Sequence, residues 1–244
     1  MPGRRVLITG GTSGIGLALA AALRRAGDRV LICGRNRERL EETAARLGVD
    51  AVPCDLADPT QLPALVETAR ERLGGLDVLI HNAGIQRAID LTDERNPALV
   101  DGSLTREVDV NLAGPIHLTA LALPLLRESD KATLVFVTSG LALAPKPSAP
   151  VYSATKAALR SFAKAIRHQL RPHGVRVLEV VPPVVDTAMT AGRDEDKVSP
   201  DSVARGIAAA LDSDREELRI GKARTLFTLH RLAPGLAEKI LSRQ

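Results

Sequence analysis

Apolar residues follow two patterns that alternate along the chain. Short, nearly continuous apolar runs predict seven β-strands, at residues 6–8, 30–33, 51–52, 78–80, 134–137, 175–181 and 218–220. Between them, apolar residues recur every three or four positions, which predicts helices at about 15–26, 37–47, 61–73, 104–126, 151–170 and 200–211. Alternating strands and helices indicate parallel βαβ units. The sequence therefore predicts an α/β fold, a single-domain doubly wound parallel sheet of the Rossmann type with helices on both faces.

No linker or repeat divides residues 1–221, and residues 222–244 are expected to form a helical tail of the same domain. Pro234-Gly235 splits that tail into two short helices. Its apolar stripe consists of Leu226, Leu229, Leu232, Leu236, Ile240 and Leu241. A short helix is unstable alone in water, so the stripe must be buried. It can close the substrate cleft, meet a partner subunit or lie on a membrane; the short helices and the lack of tryptophan favour the first two.

Composition narrows the function classes. Aromatic residues make up 2% of the chain, and the net charge of +4 arises from interspersed signs, so nucleic-acid binding is not expected. Two cysteines cannot build a disulfide framework, and the five histidines show no metal-ligand spacing, so no metal is expected. No signal peptide is visible, and no uninterrupted apolar stretch approaches the roughly 18 residues of a membrane span. A cytoplasmic protein without a membrane span is predicted.

The first strand leads into a glycine-rich turn that opens a helix. Glycines at Gly10, Gly14 and Gly16 allow a tight turn and a close backbone approach to a pyrophosphate, which the helix N-terminus attracts. A plain strand–helix connection is the alternative. The dinucleotide interpretation also places Thr12, Ser13 and Ile15 at the phosphates.

Three further strand ends carry candidate cofactor residues. Arg35 stands where a NAD-binding fold usually has an acidic residue, and a guanidinium suits a 2′-phosphate. NADP(H) is therefore expected in preference to NAD(H), although NAD(H) stays possible. The alternative interpretation is that this arginine is merely solvated at the start of a helix. Asp55, followed by Leu56, either meets the adenine amino group or caps the next turn. The small residues of Asn82-Ala83-Gly84 allow a ligand to approach the backbone.

Four polar residues are candidates for catalysis. Tyr152, the only tyrosine, lies four positions before Lys156 on a predicted helix, so the two side chains share a face. A cation beside a phenol favours the phenolate, which can exchange protons, although a solvated surface pair would have the same spacing. Ser139 follows the fifth strand. The alternative to a catalytic role is that it is only a turn residue. Asn111, inside an apolar helix, is either a satisfied core group or part of a site.

Taken together and in this order along the chain, these motifs and candidate residues resemble the short-chain dehydrogenase/reductase family over residues 6–187. Within it, Ile32-Cys-Gly-Arg35, Asn82-Ala-Gly-Ile-Gln86, Ser139-Gly-Leu-Ala-Leu and Pro182-Pro-Val-Val-Asp-Thr187 look like the DltE-type oxidoreductases. One departure is Pro182-Pro183, where the family usually has Pro-Gly, and Pro183 lacks the flexibility of that glycine.

The resemblance implies an NADP(H)-dependent oxidoreductase acting on a carbonyl or alcohol, with a homodimer or homotetramer as the usual assembly. It implies that Tyr152 is the acid/base and that Lys156 tunes it and holds the nicotinamide ribose. Ser139 would bind the substrate oxygen, Asn111 a water, and Thr187 the nicotinamide carboxamide. A non-catalytic NADP-binding sensor is the alternative, and an isomerase or dehydratase would usually be longer. The polar segment 188–198 is expected to form a small, mobile lid.

Overall fold

The structure, a computed structural model, describes residues 3–192 and 196–241. Its seven strands are β1 (Arg5–Thr9), β2 (Arg29–Gly34), β3 (Asp50–Pro53), β4 (Val78–His81), β5 (Thr133–Val137), β6 (Arg176–Val181) and β7 (Glu217–Arg219). All neighbours are parallel, in the order β3-β2-β1-β4-β5-β6-β7. The strands lie where the apolar runs predict them, within one or two residues at their ends.

Helices connect the strands and cover both faces of the sheet. They are α1 (Gly14–Arg25), α2 (Arg37–Leu47), α3 (Leu62–Leu73), α4 (Ser103–Val108), α5 (Gly114–Leu126), α6 (Pro150–Leu170), α7 (Pro200–Leu211), α8 (Lys222–Leu232) and α9 (Pro234–Leu241). Helices α3, α5 and α6 pack on one face and α1, α2 and α7 on the other. The predicted fold class, a doubly wound parallel sheet with helices on both faces, is confirmed.

Alternation along the strands explains how one sheet supports two cores. In β1, Leu7 contributes to the core under α3, α5 and α6, whereas Val6 and Ile8 contribute to the core under α1, α2 and α7. Successive side chains of a strand point to opposite faces, so a strand covered on both sides must be apolar at every position. The central strands β4 and β5 are buried throughout.

The predicted helix 104–126 is interrupted by a π-helical turn, Asp109–Ala113. By length and composition alone the run Ser103–Leu126 could cross a membrane, although no stretch of that kind was expected from the sequence. Leu118, Ala122, Leu125 and Leu126 of this run are fully buried in the core formed with α3 and α6. The packing is that of a core helix in a globular protein, so the run is weak evidence for a membrane span.

The tail forms two helices, α8 and α9, separated at Ala233 by the break that Pro234-Gly235 predicts. Ala223 and Phe227 of α8 are buried against Val181 of β6, whereas Leu232 is largely exposed. The domain boundary at residue 221 stays a prediction. Of the predicted apolar stripe, the side chains of Ile240 and Leu241 lie outside what the structure describes.

The order of the strands creates a crevice at one edge of the sheet. Strand β1 lies between β2 and β4, so the connection after β1 and the connection after β4 diverge to opposite faces. In open parallel sheets, ligands bind outside the carboxyl ends of the strands at such a point. The fold therefore places the turn after β1 and the loop after β4 beside each other.

Candidate active site

A cleft of about 1430 Å³ opens at the carboxyl edge of the sheet. It is lined by most of the residues predicted from the sequence: Gly10, Thr12, Ser13, Gly14, Ile15, Arg35, Asp55, Leu56, Asn82, Ala83, Gly84, Ser139, Tyr152, Lys156 and Thr187. Two predicted residues, Gly16 and Asn111, do not line the cleft and are buried behind it. The structure thus brings residues from six strand ends into one continuous space.

The glycine-rich turn after β1 has the backbone that its sequence requires. Gly10 and Gly14 have φ angles of 69° and 51°, a region that favours glycine. A Cβ on Gly14 would lie 2.9 Å from Cγ2 of Thr187, across the cleft. Ser13 precedes α1 without a side-chain capping bond, so the first N–H groups of the helix stay open to an anion. The turn therefore fits the pyrophosphate of a dinucleotide.

Asn82 braces this turn from the neighbouring strand. Its Nδ2 atom donates to the carbonyl oxygens of Thr9 and Gly10 at 3.0 and 3.2 Å. The backbone N–H groups of Asn82 and Ala83 donate to the Thr9 hydroxyl at 3.0 and 3.1 Å. The amide of Asn82 is thus engaged with the protein backbone, and its effect on a cofactor would come through the shape of the turn.

Arginines surround the end of the cleft formed by β2. Arg35 and Arg39 both line it, and no ion pair to either guanidinium occurs among the described residues. Arg37, between them in sequence, lies instead beside a separate small pocket with Glu41 and Arg72. Of these three neighbouring arginines, Arg35 and Arg39 thus face the cleft and Arg37 does not.

Asp55 is already paired with an arginine that no motif in the sequence marks. Arg106 of α4 donates to its Oδ2 atom at 2.6 Å, and the N–H of Ala57 donates to Oδ1 at 3.1 Å. Burial alone would raise the pKa of this carboxyl, but these hydrogen bonds and the nearby guanidinium charges hold it below its usual value. Through the bond from Ala57, Asp55 caps the turn that directly follows it, as the alternative interpretation has it, whereas Asp58 caps the later helical turn through the N–H of Thr60.

Tyr152 and Lys156 lie one turn apart on α6, and both are buried, with exposed fractions of 9% and 3%. The Nζ atom of Lys156 donates to the carbonyl oxygen of Val137 at 2.8 Å and lies 5.6 Å from the centre of the Tyr152 ring. Burial lowers the pKa of Lys156 to about 8. A solvated surface pair, the alternative interpretation of the spacing, does not match this burial.

Ser139 follows β5 and lines the cleft beside this pair. Its Oγ atom accepts a hydrogen bond from the N–H of Leu141 at 3.2 Å, which caps the short helical turn Gly140–Ala142. Ser139 is therefore a turn residue and a cleft residue at once. Because Lys156 bonds the carbonyl of Val137, two residues earlier, the strand end that carries Ser139 is tied directly to α6.

Asn111 lies in the π-helical turn and is fully buried. Its side-chain amide exchanges two hydrogen bonds of 2.8 Å with the backbone of Ile85 and donates to Oγ1 of Thr155 at 3.2 Å. A Cβ on Gly84 would lie 3.4 Å from Oδ1 of Asn111 and 3.6 Å from Nζ of Lys156. Asn111 therefore joins the loop after β4 to α6 immediately behind the lysine.

An ion pair under the site holds α6 against the sheet. Arg160, one turn after Lys156, donates to Oε1 of Glu179 on β6 at 2.6 Å. The same oxygen accepts from the hydroxyl of Thr138 at 2.8 Å, next to Ser139. The Arg160 guanidinium also lies 4.6 Å from the centre of the Phe227 ring. Strands β5 and β6, helix α6 and helix α8 thus meet at one buried cluster.

Burial shifts the pKa values of the histidine and cysteine side chains near the cleft away from neutral pH. Burial and the charge of Lys156 lower the pKa of His81 to about 3, so the ring is neutral and stacks on Phe136. Burial also raises the pKa of the Cys33 thiol and, to about 11, that of Cys54. Across residues 3–192 and 196–241, no three His, Cys, Asp or Glu side chains are grouped to hold a metal ion.

Helix α8 forms part of the wall of the cleft. Leu226 and Leu229 line it, and Cδ2 of Leu226 lies 2.8 Å from where a Cβ on Gly140 would be. Part of the tail is therefore buried on the protein's own fold, one of the options left open by the sequence. Within the predicted lid, Ala188–Thr190 forms a helical turn and Val198 bridges Val185, whereas 193–195 lie outside the described residues.

A parallel sheet whose first strand leads through an open glycine-rich turn into a helix defines a dinucleotide-binding α/β protein. The family model of the short chain dehydrogenases matches residues 4–198. An oxidoreductase of Bacillus subtilis (strain 168), DltE, is 46% identical over 190 residues, covering 78% of this chain and 74% of its own. A Staphylococcus aureus (strain USA300) oxidoreductase is 33% identical over 211 residues, covering 84% and 89%. The chain belongs to the short-chain dehydrogenase family and is an NAD(P)-dependent oxidoreductase.

Solved structures agree with this assignment. A short-chain dehydrogenase of Burkholderia cenocepacia J2315 in complex with NADP is 26% identical and superposes with a TM-score of 0.85, covering 97% of this chain and 96% of its own. An alcohol dehydrogenase of Thermococcus sibiricus, complexed with 5-hydroxy-NADP, is also 26% identical, with a TM-score of 0.77 and coverage of 88% and 95%. The resemblance inferred from the sequence, including that to DltE, is confirmed.

Proposed function

We propose that this protein is an NADP(H)-dependent oxidoreductase that transfers a hydride between the nicotinamide and a carbonyl or alcohol substrate, with Tyr152 as the acid/base. The observation that carries the proposal is the burial of Tyr152 and Lys156 on successive turns of α6, at the cleft wall that also carries Ser139. A bound nicotinamide supplies the hydride. The chain supplies position, charge and the proton.

Each side chain has a separate task in this proposal. Tyr152 gives its phenolic proton to the carbonyl oxygen during reduction and takes it back during oxidation. The ammonium of Lys156, held by the carbonyl of Val137, favours the phenolate that remains. The Ser139 hydroxyl donates to the same substrate oxygen and orients it. Asn111 supports Lys156 from behind and orders a water that connects it to solvent.

The choice of NADP(H) over NAD(H) rests on the end of β2. Arg35 and Arg39 face the cleft, and Gly34-Arg35 occupies the position where an acidic residue would hold a free ribose hydroxyl. A 2′-phosphate would accept hydrogen bonds from these guanidiniums. Two relatives in structure carry NADP or a derivative of it. Thr187, which lies across from Gly14, would contact the nicotinamide carboxamide.

A panel of carbonyl compounds with NADPH, and of alcohols with NADP⁺, tests the proposal. Tyr152→Phe should bind NADPH with nearly the wild-type Kd and lower kcat by at least about 10²-fold, the usual scale of acid–base catalysis. A non-catalytic NADP-binding sensor would bind the cofactor and turn over no member of the panel. Near-wild-type turnover in Tyr152→Phe would remove Tyr152 from the mechanism. A cytoplasmic location and a homodimer or homotetramer stay predictions.

A further inference from the structure

Part of the cleft wall is apolar, including the part next to Ser139. Helix α8, the loop after β6 and the turn after Ser139 build it from Leu141, Pro183, Val184, Met189, Leu226 and Leu229. Leu226 lies directly on the turn that begins at Ser139, since it fills the space that a side chain on Gly140 would need. A substrate held here loses water along its length, which favours an apolar body.

Among the described residues, Lys146, Lys222 and Asp196 also line the cleft. Lys222 and Asp196 form an ion pair of 2.7 Å at the exposed rim and neutralise one another. Lys146 is half-buried, and within the described part of the chain no carboxylate forms an ion pair with it. Of these three residues, Lys146 is the one whose charge no described carboxylate balances.

The backbone of Lys146 is fixed relative to Tyr152. Prolines at 145 and 147 restrict it on both sides. Its N–H donates to Oγ of Ser153 at 3.2 Å, and its carbonyl accepts from the N–H of Ala149 at 3.0 Å. Ser153 is the residue after Tyr152 on α6. The backbone of Lys146 is therefore fixed relative to α6, the helix that carries Tyr152.

We propose that the substrate is a medium-chain apolar carbonyl or alcohol compound that carries a carboxylate, and that Lys146 binds this carboxylate. The proposal rests on the proposed function, because the carbonyl is the group that reacts at Tyr152. The ammonium of Lys146, which no described carboxylate pairs, suits a negatively charged group, and the apolar wall strengthens a charge-assisted hydrogen bond by excluding water. The carboxylate takes no part in the hydride or proton transfer and fixes which end of the substrate reaches Tyr152.

Pairs of substrates that differ only in the carboxylate separate the effect of its charge from that of the rest of the substrate. We would measure NADPH-dependent reduction of straight-chain oxo acids and of their methyl esters by the wild type, Lys146→Gln, Lys146→Arg and Lys164→Gln. Lys164 is an exposed residue of α6 outside the cleft lining and serves as the matched control. We expect the acid-to-ester ratio of kcat/KM to fall about tenfold or more in Lys146→Gln, mainly through KM. Lys146→Arg should retain most of the ratio, and Lys164→Gln all of it.

A binding measurement makes the inference independent of turnover. Protein loaded with NADP⁺ would be titrated with octanoate and with octanamide by calorimetry. We expect octanoate to bind about tenfold more tightly than octanamide in the wild type and equally in Lys146→Gln. Selective octanoate binding without turnover of any oxo compound would support the Lys146 site and refute the proposed function. Turnover of esters, with no wild-type preference for acids or for octanoate, would refute the Lys146 site and leave the proposed function standing.

Discussion

The ammonium of Lys156 lies 5.6 Å from the centre of the Tyr152 ring. Both side chains are buried, and they lie on successive turns of α6. The hydrogen bond from Nζ to the carbonyl oxygen of Val137 keeps the charge at this position. Because both side chains are buried, the charge acts on the phenol at an effective dielectric below that of water. Burying an ammonium costs stability, and that cost has a measurable pH dependence.

We expect the stability cost of Lys156 to diminish as the pH rises. Burial lowers the pKa of Lys156 from 10.5 to about 8. Between these values the unfolded chain binds the proton and the native protein does not, so the free energy of unfolding rises with pH. Lys156→Met lacks this rise. Its unfolding free energy should therefore decline relative to the wild type across this interval, by up to about 3 kcal/mol.

Urea unfolding of the cofactor-free proteins, from neutral pH to above the upper end of this interval, measures the difference. Lys164→Met, at an exposed position on the same helix, should keep a constant offset from the wild type. A constant offset for Lys156→Met as well would show that the buried lysine does not lose its proton in the folded protein.

Cofactor choice should depend on Arg35 and not on Arg37. Arg35 faces the cleft, whereas Arg37 lies beside a different pocket. Arg35→Ala should raise the Kd for NADPH about tenfold or more, the usual cost of a lost hydrogen bond to a charged group, and change the Kd for NADH little. Arg37→Ala should change neither. Equal losses for both cofactors in Arg35→Ala, or tighter NADH binding by the wild type, would contradict the NADP(H) assignment.

Phe227 should anchor helix α8 to the sheet. Its exposed fraction is 7%, and its ring lies between the guanidiniums of Arg160 and Arg219, 4.6 and 4.0 Å from the ring centre. Phe227→Ala should lower the free energy of unfolding by about 3 kcal/mol, the usual cost of removing a buried aromatic ring. Leu232→Ala, at a position on the same helix that is 78% exposed, should change it by less than about 0.5 kcal/mol. Similar losses in both variants would place the anchor elsewhere.

Removing the tail tests what its apolar surface contacts. Deletion of residues 223–244 removes the Phe227 anchor, so we expect a lower melting temperature, a lower oligomeric state or both. Light scattering and thermal unfolding of the truncated protein measure these. The intact protein should not sediment with anionic vesicles, since the side chains of Leu226 and Phe227 already pack against the rest of the protein. Unchanged assembly and stability in the truncation, with clear vesicle binding by the intact chain, would favour the membrane alternative.

The sequence by itself determined the features that depend on neighbours along the chain. Apolar runs specified the strands because a strand buried on both faces has no polar position. A four-residue spacing placed Tyr152 and Lys156 on one helical face because a helix turns every 3.6 residues. The turn after β1 followed from glycines that alone tolerate its backbone angles. These are local consequences of covalent geometry and solvent exclusion.

Only the tertiary structure decided which distant residues meet. Arg106 of α4 reaches Asp55, 51 positions away in the loop that follows β3, because α4 packs against α6 on this side of the cleft. The π-helical turn that aims Asn111 at Ile85 has no periodic signal in the sequence, and the apolar pattern around it predicts an unbroken helix. Lys146 and Leu226 face the same cleft only because the loop before α6 and helix α8 pack on one side of it. Side chains far apart in sequence share no pattern, so their contact depends on how whole elements pack, and the local sequence does not encode it.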